Sequence, residues 1–295
     1  MKKLFKGLLA GLMALSLVAC GGTTTEQTML EKIKEQGYIT LATSPDFAPN
    51  EFYVLGEDGN NKIVGTDILF AEAIAKKIGV ELKISAVAFS EVINEVNSGN
   101  ADFGLAGFAW TETRAKAVKF TDSYSQTTSE GWQGVMVRKE DANKYKTLED
   151  LKAANLTVAA QTGSIQYEMA LKITAEENIK PIADNSISAQ ELSMGYIDAY
   201  IITSDQAQMA MNSFDNITIL PEDGFNLDPE DNYSKTGAVL AMTPDYDNET
   251  LIEVINEVIA ESLVKNDEGK NQFDMWKDDI TPLLPYDLTS QIYGY

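Results

Sequence analysis

The chain has 295 residues with no histidine and one cysteine, and 45 Asp and Glu stand against 23 Lys and Arg for a net charge of −22. The lack of histidine excludes Ser-His-Asp and Cys-His nucleophile systems and the usual zinc sites, which disfavours catalysis while leaving carboxylate-based chemistry open. An acidic field of this size repels nucleic acid and anionic lipid, and at ~100 to 200 residues per domain the length predicts two domains.

Lys2, Lys3 and Lys6 precede an uncharged apolar run over 8–18, which leads into Ala19, Cys20, Gly21 and Gly22. A basic start, an apolar stretch too short to span a bilayer and small residues at a cleavage point read as a signal peptide over 1–19. The segment resembles the lipobox of bacterial lipoproteins, which implies lipidation at Cys20 and a mature chain without a free thiol. Residues 20–36 then read as a lipid-anchored linker, polar over 21–27.

Beyond it, 38–43 reads as a strand and 54–63 as holding a Gly- and Asn-rich turn. Asp67 opens a helix with Phe70, Ala71, Ile74, Ala75 and Ile78 on one face, and Gly79 stops it. A strand over 81–87, a helix capped by Ser90 and ended by Gly99, and a strand over 102–106 running into Gly107 continue the alternation. From Gly134 the pattern restarts. Strands over 134–137, 156–160, 198–202 and 217–220 alternate with helices that start at a Thr147–Asp150 capping box, after Gly163 and Ser164, and at Ser204.

An acidic stretch over 221–234 interrupts this order. A strand over 237–242 and a helix with Leu251, Ile255, Val258 and Ile259 at helical spacing follow. Strand-helix alternation predicts an α/β fold with mostly parallel sheets flanked by helices. The last strand and helix are too little for a domain of their own. The expected organisation is therefore a two-lobe clamshell, with 37–128 plus 236–295 as lobe 1 and 129–235 as lobe 2.

Several segments, in order, resemble the extracellular solute-binding proteins of family 3, which deliver polar amino acids to ATP-driven importers. They include 42–52, 63–67 with 71–79, 98–107, 111–114 with 118–124, 148–152, 161–164 and 195–199. The resemblance runs from Tyr38 to about Leu220 and implies a type II periplasmic-binding-protein fold.

A carboxylate taken out of water needs charge-assisted, preferably bidentate, hydrogen bonds, and a guanidinium supplies them better than an ammonium. Arg114 follows a strand whose carboxyl end opens on the crevice where ligands of open α/β sheets bind. Gly107 lets its N–H approach a ligand closely. Thr111 either caps the next helix or meets the ligand, and Gly163 and Ser164 mark a helix start that favours an anion.

The resemblance further places Phe47 as an aromatic wall against the ligand side chain and Ser44 where many members carry an acid. Thr66 stands where an aromatic often faces Phe47, and Ala109 replaces a hydroxyl contact. Glu51 and Asp67 are read as structural, closing a turn and capping a helix, and Phe108 and Trp110 as packing in the core or between lobes. The acid that pairs the ligand's α-ammonium falls at Thr203. Asp205 with a shifted turn, Asp46 reaching in, or a different mode of amine recognition remain as alternatives.

The expected function is the substrate-binding component of an ABC importer, tethered to the outer face of the cell membrane in a Gram-positive-type envelope. It would close on a small polar amino acid or amino-acid-like carboxylate and present it to permease subunits. No cofactor, metal or nucleic acid is expected, membrane contact is through the lipid alone, and the protein is expected to be a monomer. The alternative is a cyclohexadienyl (prephenate or arogenate) dehydratase-like enzyme using Glu51, Glu112 or Asp205.

Overall fold

The computed structural model describes residues 27–124 and 131–284. The signal segment, Cys20 and the first predicted lobe crossing near 128 lie outside the described residues. Part of the expected linker is ordered: Met29–Gln36 is a helix with a Thr28–Glu31 capping box, ended by left-handed Gly37. Its Met29 and Ile33 are buried in the first lobe's core, and this apolar pair makes the segment a helix of the lobe rather than a tether.

The first lobe begins with β1 (Tyr38–Thr43), β2 (Asp46–Phe47), β3 (Glu51–Leu55) and β4 (Asn61–Val64), followed by β5 (Glu81–Ala86), β6 (Phe103–Gly104) and β7 (Val118–Phe120). The second holds β8 (Gln133–Arg138), β9 (Val158–Gln161), β10 (Ile179–Ile182), β11 (Ala199–Thr203) and β12 (Ile217–Ile219), after which β13 (Val239–Ala241) returns to the first sheet. Strand orders are β5-β1-β6-β13-β7 and β10-β9-β11-β8-β12, and β2-β3-β4 make a small antiparallel sheet.

In each large sheet the fourth strand alone runs against its neighbours, β13 in one and β8 in the other, while β5-β1-β6 and β10-β9-β11 are parallel. Each of these reversed strands is the first the chain lays down after passing between lobes. The sheets are thus mostly parallel, as the alternation predicts.

Helices form where the apolar spacing puts them. Thr66–Ile78 buries Ile68, Phe70, Ala71, Ile74 and Ala75 and stops at left-handed Gly79. Leu251, Ile255, Val258 and Ile259 of helix Glu249–Ser262 pack into the same core as Phe70, Ile74 and Leu41. A further helix follows, Gln272–Ile280, whose Phe273 ring lies 5.3 Å from Phe70 and 5.0 Å from Trp276. Helix Phe89–Asn97 starts at Ala88 without a side-chain cap, so Ser90 lies inside it and not at its end. The stretch 57–61 is the expected hairpin turn between β3 and β4, with Asp58 accepting from the Asn60 N–H at 3.0 Å.

One glycine holds the first lobe's site-bearing loop to its helix. Gly65 has φ +144, and a Cβ there would stand 1.9 Å from the Asn50 carbonyl oxygen. The same approach lets Thr66 and Asp67 donate their N–H groups to the Pro49 and Asn50 carbonyls. Gly65→Ala must push the two segments apart, and we expect it to lower unfolding free energy by about 3 kcal/mol or more. A urea midpoint unchanged from the parent would show the contact to be dispensable.

Candidate functional site

The chain leaves β6 at Gly104, turns through left-handed Gly107 and reaches Thr111, whose hydroxyl accepts from the Arg114 N–H at 3.1 Å and starts the short helix Glu112–Ala115. Alongside this run lies the returning strand of the second lobe crossing. Ala109 pairs with Thr236, Trp110 N–H donates to the Lys235 carbonyl at 2.7 Å, and Gly237 N–H donates to Phe108. Arg114 is thereby set where the two lobes meet.

Arg114 is only 8% exposed. Its Nη1 donates to the Ala109 carbonyl of its own lobe at 2.8 Å and its Nη2 to the Gly163 carbonyl of the other at 3.1 Å. The guanidinium lies 5.3 Å from the Phe108 ring and 5.6 Å from Phe89, two rings that stack on each other. Burial pulls its pKa down to about 10, against the pull of Glu168 and Tyr233, and it stays charged at neutral pH.

Beside it is an interlobe cavity of about 60 Å³. Phe47, Gly107, Ala109, Arg114 and Ser164 of the expected site line it. Ser164 is also spent on structure: its hydroxyl accepts from the Tyr167 N–H and donates to the Gln161 carbonyl, capping helix Ile165–Ala170. Gly107 suits its place because its φ of +57 is one that side chains rarely adopt, and a Cβ would also crowd the Phe47 ring at 3.0 Å. Its N–H, expected to face a ligand, instead donates to Asp67 at 3.3 Å.

The other expected positions fall outside the lining. Thr111 is a helix cap and Gly163 contributes its carbonyl to Arg114. The Thr66 hydroxyl donates to the Asn50 side chain at 3.1 Å, because the Gly65 turn points it back into its own loop. Thr203 is buried at the end of β11, its hydroxyl without a partner among the described residues. Asp205 stands half-exposed, 3.9 Å from Lys277 Nζ, since it lies in the first turn of the helix after β11 and faces outward.

Three further expectations are corrected. Asp67 caps nothing: the N-cap is Gly65, and the buried Asp67 carboxylate accepts from Gly107 and from the Tyr124 hydroxyl at 3.0 Å, with Glu51 also hydrogen-bonded to it. Burial raises its pKa to about 6. Glu51 accordingly braces Asp67 beneath the site instead of closing a turn. Phe108 is buried as expected, but Trp110 is 48% exposed at the edge where the extended run ends. Of the acids considered for catalysis, Glu51 is buried off the cavity, Glu112 is exposed in a pair with Lys116, and Asp205 faces outward.

A second bridge between the lobes centres on Asp46. One oxygen accepts from the Ser44 hydroxyl at 2.9 Å, and the other from Gln161 Nε2 at 2.7 Å and the Asn185 N–H at 2.8 Å, both on the second lobe. Asn185 in turn donates to Gln161 Oε1 and accepts from the Tyr200 hydroxyl at 2.8 Å. Burial, with Asp184 nearby, raises the Asp46 pKa to about 6, although the hydrogen bonds oppose the shift. Ser44, placed among ligand contacts by the resemblance, serves this bridge.

Sequence reasoning missed Gln161, Asn185, Tyr200 and Gln206, all of which line the cavity. Gln161 heads the 161–164 segment and was within reach; Asn185 sits in a single turn of 3-10 helix with no local pattern to mark it.

A carboxyl raised by folding holds a proton that the unfolded chain has released. Its stabilising share is complete below the ordinary value of 3.8 and is lost as pH rises through 6. Asp46→Asn keeps the shape, with its amide oxygen accepting from Gln161 and Asn185, and has no such proton. Relative to the parent, the variant should gain about 1–2 kcal/mol between pH 4 and pH 7, a figure reduced for the partial exposure of Asp46. Denaturation at the two pH values checks this, and parallel pH slopes would contradict it.

Comparison with known proteins is consistent in one direction. The family model described as bacterial extracellular solute-binding proteins, family 3, matches residues 39–277. The arginine-binding extracellular protein ArtP of Bacillus subtilis is 30% identical over 263 residues, covering 88% of this chain and 92% of that protein. An amino acid ABC transporter substrate-binding protein, AbpA of Streptococcus pneumoniae, solved bound to L-arginine, superposes with a TM-score of 0.70 at 28% identity, covering 85% of this chain and 98% of that one. A cyclohexadienyl dehydratase of Pseudomonas aeruginosa is 22% identical over 71% of this chain and 75% of that protein. With its two-lobe α/β architecture and a family match over most of its length, the chain belongs to the bacterial extracellular solute-binding proteins of family 3.

Proposed function

We propose that the chain is the lipid-anchored substrate-binding component of an amino-acid ABC importer, without catalytic activity of its own. Residues 37–128 and 236–295 act as one lobe, and 129–235 as the other. They close on a small amino acid or amino-acid-like carboxylate, and the closed form docks on the permease. The observation that best supports this reading is Arg114, a buried guanidinium beside the interlobe cavity, bonded to a carbonyl from each lobe. Such a group can take a carboxylate in a bidentate grip through its remaining N–H donors, at a point where both lobes meet. The relatives named for amino acids, one for arginine and one solved with L-arginine bound, support the same class of cargo.

The leader and Cys20 support an anchor on the extracellular face of a membrane in a Gram-positive-type envelope. The tether would raise the protein's effective concentration beside its permease. Replacing Cys20 with Ser should move the expressed protein from the membrane fraction to the medium, and retention in the membrane would reject the anchor.

Arg114→Ala should weaken binding of a carboxylate ligand 100-fold or more in calorimetric titration while the thermal transition stays cooperative. Arg114→Lys should fall between, because an ammonium keeps the charge and loses the fork. Unchanged affinity in Arg114→Ala would refute the carboxylate grip. Native mass spectrometry of gently purified protein would weigh whatever ligand it retains.

A further inference from the structure

The helix Ser204–Ser213 follows β11 directly and faces two ways. Ala207 and Ala210 are buried in its own lobe, in one cluster with Tyr200 and Leu192. Asp205, Gln206 and Met209 share a stripe about 100° wide around the helix, and all three meet the first lobe. Met209 packs against an apolar cluster of Ala48, Phe52, Val64 and Ile280, and among the described residues it is the one member of that cluster from the second lobe. Gln206 Nε2 donates to the Ala48 carbonyl at 3.5 Å, and Asp205 lies 3.9 Å from Lys277 Nζ on helix Gln272–Ile280.

The same helix reaches the site. Gln206, and Ile202 near the end of β11, line the cavity beside Arg114. Met209 is not in that lining; it borders a smaller adjoining cavity of about 30 Å³ with Ala48 and Ala189. A rigid helix thus joins a residue of the ligand cavity to an apolar side chain seated on the opposite lobe.

We infer that Met209 sets affinity without touching the ligand: its seat on the first lobe forms on closure and slows ligand release. The inference rests on the proposed closure of the lobes on an amino acid. Parting the lobes at this point returns Met209 and the rim of the Ala48–Ile280 cluster to water, so the contact favours the closed state whatever the ligand. A contact made only in the closed state must break before the ligand leaves, so it acts on the release rate. The half-exposed Asp205–Lys277 pair adds little at ordinary salt, which leaves the apolar contact as the main term. An unbranched thioether also adapts to the small differences in closure that ligands of different size impose.

Calorimetric titration of the mature protein against the twenty standard L-amino acids identifies those it binds, and stopped-flow kinetics with the tightest separates the rates. Met209→Ala should weaken binding about five-fold or more through koff, with kon unchanged and by the same factor for every amino acid the parent binds. Met209→Leu keeps the apolar bulk and should restore most of the affinity. Met209→Glu brings a charge that is buried only on closure, and should bind about ten-fold weaker again than Met209→Ala. The ligand-free thermal midpoint should hold in all three. Unchanged affinity in Met209→Ala and Met209→Glu, whether or not the midpoint falls, overturns the inference and leaves the binding-protein reading standing. A loss that varies with the ligand's side chain also overturns it, because Met209 then touches the ligand. If the parent binds none of the amino acids, that reading fails and the inference with it.

Discussion

The structure turns on a buried cation. A guanidinium withdrawn from water without hydrogen-bond partners would be strongly destabilising, so everything near Arg114 has to supply acceptors or polarizable surface. Thr111 starts the helix that carries it, Ala109 and Gly163 present carbonyls, and the Phe89–Phe108 stack offers an aromatic face. Because one of those carbonyls comes from the second lobe, the solvation of the guanidinium by protein is complete only with the lobes together. The demand for acceptors at one side chain thus couples local structure to the relation between lobes.

That coupling is possible because the two sheets are built alike. In each, the strand laid down after a crossing inserts fourth and antiparallel. The returning chain at 235–237 pairs directly with 108–110, the run that positions Arg114. Beneath it, Asp67, Tyr124 and Glu51 hold the Gly107 amide, and the Gly65 turn holds Asp67. The loop carrying the site is braced from behind by groups that never reach the cavity, which leaves its front free to be altered.

Local pattern made most of the fold legible. Gly79 ends its helix in the left-handed conformation that favours glycine, and Thr147 with Asp150 forms the expected capping box. The helix Met29–Gln36 was obscured by its polar approach, although Met29 and Ile33 carried its buried stripe. Of the expected positions, Arg114, Phe47, Gly107 and Ser164 come to the cavity, each from a segment whose motif is local in sequence. Asp46 was harder, since its partner Asn185 is 139 residues away and offers a backbone N–H, a group every non-proline residue has. Asp67 was misread for a related reason: a carboxylate at a helix start looks like a cap until the fold brings a tyrosine and a distant amide to it.

The Asp46 bridge also constrains how tightly the lobes are held when no ligand is present. Charge-assisted hydrogen bonds from Gln161 and Asn185 favour closure, yet forming them strips water from the carboxylate, and the upward pKa shift says that desolvation outweighs the bonds for the charged form. A bridge of that kind contributes geometry more than free energy. It aligns the second lobe's amide cluster with the first lobe. In the proposed cycle, a ligand shifts an open-closed equilibrium only by its differential affinity for the closed form. A strongly stabilising latch would leave the closed state populated without cargo, and a ligand with little left to add would be poorly distinguished from none. A near-neutral latch leaves that decision to the group that meets Arg114.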